Sequence, residues 1–138
     1  MSVFNKFQNF IGRLGLAEHQ LNTHTFRAAL TNVAPVAAQT DFDPVTNHAA
    51  PAAANGYTAG GYDIQNGYSE AGGIGTMSAV DVVVTAAGGQ IGPFRYVVVY
   101  NDDHASDGLC SYFDYGSSIT LNDGESFTID FTDFLTLQ

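Results

Sequence analysis

Residues 92 to 131 read GPFRYVVVYNDDHASDGLCSYFDYGSSITLNDGESFTIDF, and the spacing of their apolar residues decides the fold class. Beyond Pro93, Phe94, Tyr96, Val98 and Tyr100 alternate with Arg95, Val97, Val99 and Asn101. A period of two sets one face of an extended strand against a core. A turn-rich acidic loop, Asn101 to Gly108, follows. The chain then enters an aromatic run at Tyr112, Phe113 and Tyr115, is expected to turn at Gly116, and extends again through Ile119 and Leu121. Asn122, Asp123 and Gly124 precede Phe127, Ile129 and Phe131, and Asn-Asp-Gly between two alternating runs is a hairpin signal.

Upstream, THTFRAAL (23–30) alternates Phe26, Ala28 and Leu30 against Thr25, Arg27 and Ala29, and reads as a first strand. From Thr31 to Asn55 the chain carries Pro35, Pro44 and Pro51 among many alanines, which is poor strand material and predicts a long surface connection. Loops of this length are functional or mobile, so two readings stand: contact with neighbours in an assembly, or a solvated excursion. The glycine-dense stretch 55–75 predicts a strand from Tyr57 to Ile64 edged by turns, and Met77 to Ala87 predicts another. About seven to nine short strands with glycine turns and a single helix predict an all-β fold, an antiparallel β-sandwich or jelly-roll-like domain. The helical intervals that a parallel sheet requires are absent.

The single helix is expected at the N-terminus. Phe4, Phe7, Phe10, Ile11 and Leu14 recur at three- and four-residue spacing, so a helix starting near Ser2, which would cap it, carries its aromatics on one side. Gly12 and Gly15 predict an end near Gly12 or a weak continuation to Ala17. Residues 1–22 are thus expected to form a helical arm and 23–138 the sandwich. A short helix needs a partner for its apolar face, either its own domain or a neighbouring subunit. The predicted partner contacts are Phe4, Lys6, Phe7 and Phe10 in the arm, and Asp41, Phe42, Pro44 and Pro51 in the proline-bearing loop. Deleting residues 1–15 is then expected to abolish docking and leave the sandwich folded.

Charge narrows the partners. Lys6, Arg13 and Arg27 fall in the first 27 residues and only Arg95 beyond, whereas 13 of the 14 acidic residues follow Arg27. A body near −12 repels the phosphate backbone, so nucleic-acid binding is not expected, although acidity also serves plain solubility. The N-terminus lacks the apolar run of a signal peptide and no segment approaches a membrane span, which predicts a soluble, unprocessed chain with no membrane partner. Cys110 is the only cysteine, reads as a small buried hydrophobe, and excludes an intramolecular disulfide.

No catalytic signature accompanies this framework. His19, His24, His48 and His104 are scattered, without HExxH, CxxC or GxSxG arrangements, and the glycines of 55–75 lack the Lys-Ser/Thr of a phosphate loop. No enzyme activity, cofactor or metal is expected. Asp102, Asp103, His104 and Asp107 share one loop, either as a solvated turn rich in self-bonding side chains or as ligands for a divalent cation. A small hydrolase would have to use His104 and Asp107. Tyr57, Tyr62, Tyr68, Tyr96, Tyr100, Tyr112 and Tyr115 supply either core and oligomer contacts or a glycan-binding surface.

Several stretches in fixed order carry a resemblance: FRAALTNVAP, NGYTAGG, IGPFRYVVVYND and DYGSSITLNDGESFTIDF. Together they resemble a family of small structural proteins encoded in the virion-gene clusters of tailed bacteriophages, over most of the chain. The resemblance implies a particle component of decoration or cement type on the capsid exterior, made in the host bacterial cytoplasm. Its partners would be the major capsid protein and, as a homo-oligomer, itself. The alternative is a tail- or fibre-associated protein that binds a host surface glycan.

Overall fold

The computed structural model describes residues 3–131 and 134–137. In chain order its elements are β1 (Val3–Lys6), α1 (Gln8–Gly15), β2 (Phe26–Thr31), β3 (Tyr62–Asp63), β4 (Gly67–Ala71), β5 (Ile74–Ser78), β6 (Val82–Thr85), β7 (Ile91–Asn101), β8 (Leu109–Leu121), β9 (Ser126–Ile129) and β10 (Leu135–Leu137). All pairing is antiparallel. One sheet runs β1-β8-β7-β2-β3, a second β10-β5-β4, and a third is the pair β6-β9. The fold is all-β and sandwich-like. Its main core lies between the large sheet, through Phe26, Leu30, Phe94, Val97 and Phe113, and the small sheets, through Met77, Val84, Ile129 and Leu135.

β7 departs from simple alternation. Register shifts flank Phe94 where it faces β8: β7 carries one extra residue between Ile91 and Phe94, and β8 three extra between Asp114 and Ile119. Phe94 therefore enters the main core with Val97 and Val99, while Val98 and Tyr100 face the opposite way into a second cluster with Phe7, Ala29, Phe42 and Leu109. Both faces of β7 are buried from Tyr96 onward, which explains why VVV is continuous there.

Several expectations are corrected. Gly116 is not a turn. Its φ of 87° bends one strand of 13 residues that continues through it, with the Gly116 N–H held by Asp114 Oδ1 at 2.8 Å. Asn122 to Gly124 do form a turn, but β8 and β9 do not pair; the turn carries the chain from the large sheet to β6-β9. The strand expected over Tyr57–Ile64 shrinks to β3, and the one over Met77–Ala87 breaks into β5 and β6, which belong to different sheets.

The helical arm is also corrected. Val3–Lys6 pair with Ser111–Asp114 of β8, so edge pairing satisfies the backbone there and the helix starts only at Gln8. The Ser2 cap lies outside the described residues. Phe7 continues the pairing through its N–H to Cys110 O at 3.0 Å, and the first helical N–H, on Gln8, finds Ala37 O at 2.9 Å. Phe7 packs on the outer face of the large sheet and Phe10 in the main core, both fully buried. Residues 1–22 are not an arm beside a domain 23–138; from Val3 they are an edge strand and a packed helix of one domain.

Candidate functional site

The proline-bearing loop lies on the outer face of the large sheet as a partial third layer. Phe42 stacks on Tyr100 with ring centroids 4.0 Å apart and 6° between planes, and His48 stacks on Phe42 at 5.6 Å. Phe42 N–H donates to Asp107 O and Leu109 N–H to Thr40 O, which zips the loop to the start of β8. Arg13 Nη1 donates to Thr40 O at 2.9 Å and to Asp41 Oδ1 at 2.8 Å, tying α1 to the same loop.

On this support stands a rigid turn. Asp43 accepts backbone N–H groups from Val45 (3.1 Å), Thr46 (3.2 Å) and Asn47 (3.4 Å), and these bonds, Thr46 first, hold its carboxyl below the usual carboxylate range. His48 closes the turn beneath. Its Nδ1 accepts Asp43 N–H at 3.0 Å, so the ring proton sits on Nε2 and is donated to Gln39 Oε1 at 3.0 Å. Gln39 Oε1 also accepts Val36 N–H, which draws the exposed Val36 onto the same post. Val45, at the tip, is 83% exposed, the most open of the large apolar side chains described. A fixed backbone that holds an apolar side chain in water is a preorganised contact, because little conformational entropy is left to lose on docking.

The residues expected to make partner contacts divide accordingly. Phe7, Phe10 and Phe42 are buried within their own domain and offer no surface, because each fills a sheet face that this small domain has to cover. Asp41 is half-buried and paired with Arg13, and Pro51 is half-buried. Pro44 and Lys6 are exposed. Phe4 gives its backbone to β1, and its side chain lies outside the described residues. Val45 and Val36 were missed, yet Asp43 followed by Pro44 is a sequence signal for a capped helical turn.

A second cluster joins the segment between α1 and β2 to the end of β7. Asn101 is fully buried; its Oδ1 accepts Asp103 N–H, which fixes the amide orientation. Nδ2 therefore donates to His19 Nδ1 at 3.0 Å and to His24 Nδ1 at 2.9 Å. His19 must carry its proton on Nε2, which is buried and has no partner. Burial foremost, with His104 and Arg13 adding, lowers the His19 pKa to about 4. His104 Nδ1 accepts Ser106 N–H and its Nε2 donates to Glu18 Oε1 at 2.9 Å. Among the described residues no hydroxyl or thiol hydrogen-bonds to an imidazole, and no group of three or more His, Cys, Asp or Glu is placed to hold a metal ion. The cluster ties the 17–25 segment and the β7–β8 loop together.

Within that loop, Asp107 is pushed above the usual carboxylate range, by burial first and then by Asp102 and Asp41. A raised folded-state pKa contributes stability below the ordinary value of 3.8 and loses it as pH rises, so ionised Asp107 is a liability at neutral pH. Asn tolerates the φ of 50° found there. Asp107→Asn should therefore raise Tm at pH 7 by a small margin that disappears near pH 3, as thermal melts at the two pH values would read.

The tyrosines do not form one surface. Tyr57, Tyr96 and Tyr100 are buried, Tyr62, Tyr112 and Tyr115 are half-buried, and Tyr68 is 41% exposed. Cys110 is buried in the main core, which pushes its thiol up to about 12 and leaves it unreactive at neutral pH. Among the described residues no helix is long and apolar enough to cross a membrane. Compared with protein families, curated proteins and solved structures, the chain matches none.

Proposed function

We propose that the chain is a non-enzymatic structural component of a tailed-bacteriophage virion that decorates the outside of the capsid and stabilises it by bridging major capsid subunits. The observation that carries this reading is the rigid Pro44–Val45 turn, an apolar contact held out from a sheet face by Phe42 and His48. Surface charge supports it. Arg13, Arg27 and Arg95 are all hydrogen-bonded within the chain, so the acidic excess of a protein with net charge −10 is left to face outward, away from packaged nucleic acid. Many copies on a repeating lattice need only modest affinity per site, and binding the assembled shell in preference to its parts stabilises the shell by linkage. A symmetric homo-oligomer would multiply each contact again.

Quantitative mass spectrometry of purified particles tests the proposal as copies of this chain per major capsid subunit. A simple fraction of the shell, with hundreds of copies, is the expected result; a few dozen would move the chain to the tail, and absence from particles would sink the reading. Val45→Asp should lower occupancy by about tenfold or more while Tm stays within what about 0.5 kcal/mol produces, since the side chain is solvated in the free protein.

A further inference from the structure

We propose that the open end of the sandwich core is a docking pocket for one large apolar side chain, presented by an extended segment of a partner protein with lysine or arginine on either side of it. The pocket encloses about 270 Å3 and is lined by Leu14, His19, Leu21, Asn22, Tyr68 and Leu137. Drug-sized ligands occupy roughly 300 to 1,000 Å3, so this space suits a single side chain. The proposal does not depend on the virion reading.

Register explains why the core stays open there. Tyr68 of β4 lies opposite the buried Met77 of β5, so it stands on the core-facing side of its sheet. Gly75, two residues before Met77 on the same face, lies under it; a Cβ at 75 would run into the Tyr68 hydroxyl. The ring is thereby laid across the sheet, beside Leu137, which pairs with Gly75 from β10. Leu14, in the last turn of α1, and Leu21 and Asn22 beyond it complete the lining. No side chain among the described residues fills the gap between them, although Leu21 belongs to the core and Leu14 and Leu137 pack against it.

Two exposed polar groups at the pocket, the Asn22 amide and the Tyr68 hydroxyl, make no hydrogen bond among the described residues and are open to a ligand. An extended segment brings an N–H and a C=O on each side of an inserted side chain, which is the set these groups are able to bond. Charge selects the flanks. Glu70, exposed, lies across Gly75 from Leu137 in the same row. Arg13 is tied to Thr40 and Asp41 and also pairs with Glu18 at 3.7 Å, so Glu70 rather than Glu18 sets the charge at the pocket rim. Acidic flanks on the partner would be repelled and basic ones drawn in.

The test is NMR titration of the full chain with acetyl-Lys-Lys-Phe-Lys-Lys-amide, following the Asn22 side-chain amide and the leucine methyls. Saturable shifts at Leu14, Leu21, Asn22 and Leu137 are expected, weakened about tenfold when the central residue is alanine and abolished when the lysines are glutamates. Tyr68→Ala should weaken the phenylalanine peptide about tenfold with the remaining spectrum unchanged; if that variant does not fold, Leu137→Asn replaces it. Equal binding of the alanine peptide, shifts spread over the acidic surface, or indifference to both pocket variants overturns the proposal.

Discussion

Phe10→Ala should destabilise the chain by about 3–5 kcal/mol, a drop in Tm of roughly 10–20 °C, because it empties a fully buried aromatic site in the main core. The phenyl ring packs 5.0 Å from the His19 ring, which itself lies 5.9 Å from Phe26. Removing it leaves a cavity bounded by a helix and a sheet that are each held by other contacts, so collapse is limited and the cost stays near the upper end. Domains of this size are stable by about 5–15 kcal/mol in total, so the variant would sit close to unfolding at physiological temperature. Removing residues 1–15 goes further. It strips the β1 edge from β8, exposes the face that Phe7 covers, and takes away Arg13, which clamps the loop. That truncation should not give a folded domain, in contrast to the arm expected from sequence. A chemical denaturation series comparing wild type, Phe10→Ala and the truncation decides it: a truncated chain with an unchanged unfolding midpoint would restore the independent arm.

The reason Phe10 misled is local. Phe4, Phe7 and Phe10 are spaced as on a helix, but the backbone changes from strand to helix between Lys6 and Gln8, so of the three only Phe10 lies within the helix. Periodicity over ten residues cannot separate these cases when the strand is an edge whose only requirement is a neighbour, here β8. The existence of β2 and β7 was legible, since each is a run of apolar residues bounded by turn signals, whereas β8 reads as two runs because Gly116 looks like a turn. Their partnerships were not, because the register shifts around Phe94 and the bend at Gly116 depend on the strand alongside. Asn122 to Gly124 were legible as a turn and illegible as a switch between sheets for the same reason. At the site, Asp43 and Pro44 carried a readable capping signal, whereas the Tyr68 pocket rests on Gly75 and Leu137, which meet it only through cross-strand pairing.

Acidification should unfold the protein in a window set by His19. Its pKa falls from an ordinary 6.5 to about 4 in the folded chain, because burial, then His104 and Arg13, disfavour the imidazolium. Between those values the unfolded chain binds a proton that the folded chain rejects, so stability is full above about pH 6.5 and declines as pH falls towards 4. The shift corresponds to an order of magnitude of 3 kcal/mol, with one pKa unit worth about 1.4 kcal/mol. His48, lowered by its own burial beneath the loop, adds in the same direction. Asp43 and Asp114 are held low by hydrogen bonds, to the Thr46 N–H first and to Arg95 first respectively, so their contribution is lost only below the ordinary carboxylate value of 3.8, which separates them from the histidines. The hydrogen-bond geometry gives the same answer without any titration: a proton on His19 Nδ1 would face the Asn101 Nδ2 donor, and the buried ring has nowhere to turn. His19→Gln offers that amide a carbonyl oxygen and no titration. Its Tm should change less between pH 7.5 and 4.5 than that of the wild type, even if it starts lower. An identical pH slope in the two proteins would assign the response in this window to His48, and would leave the buried His19 ring as packing alone.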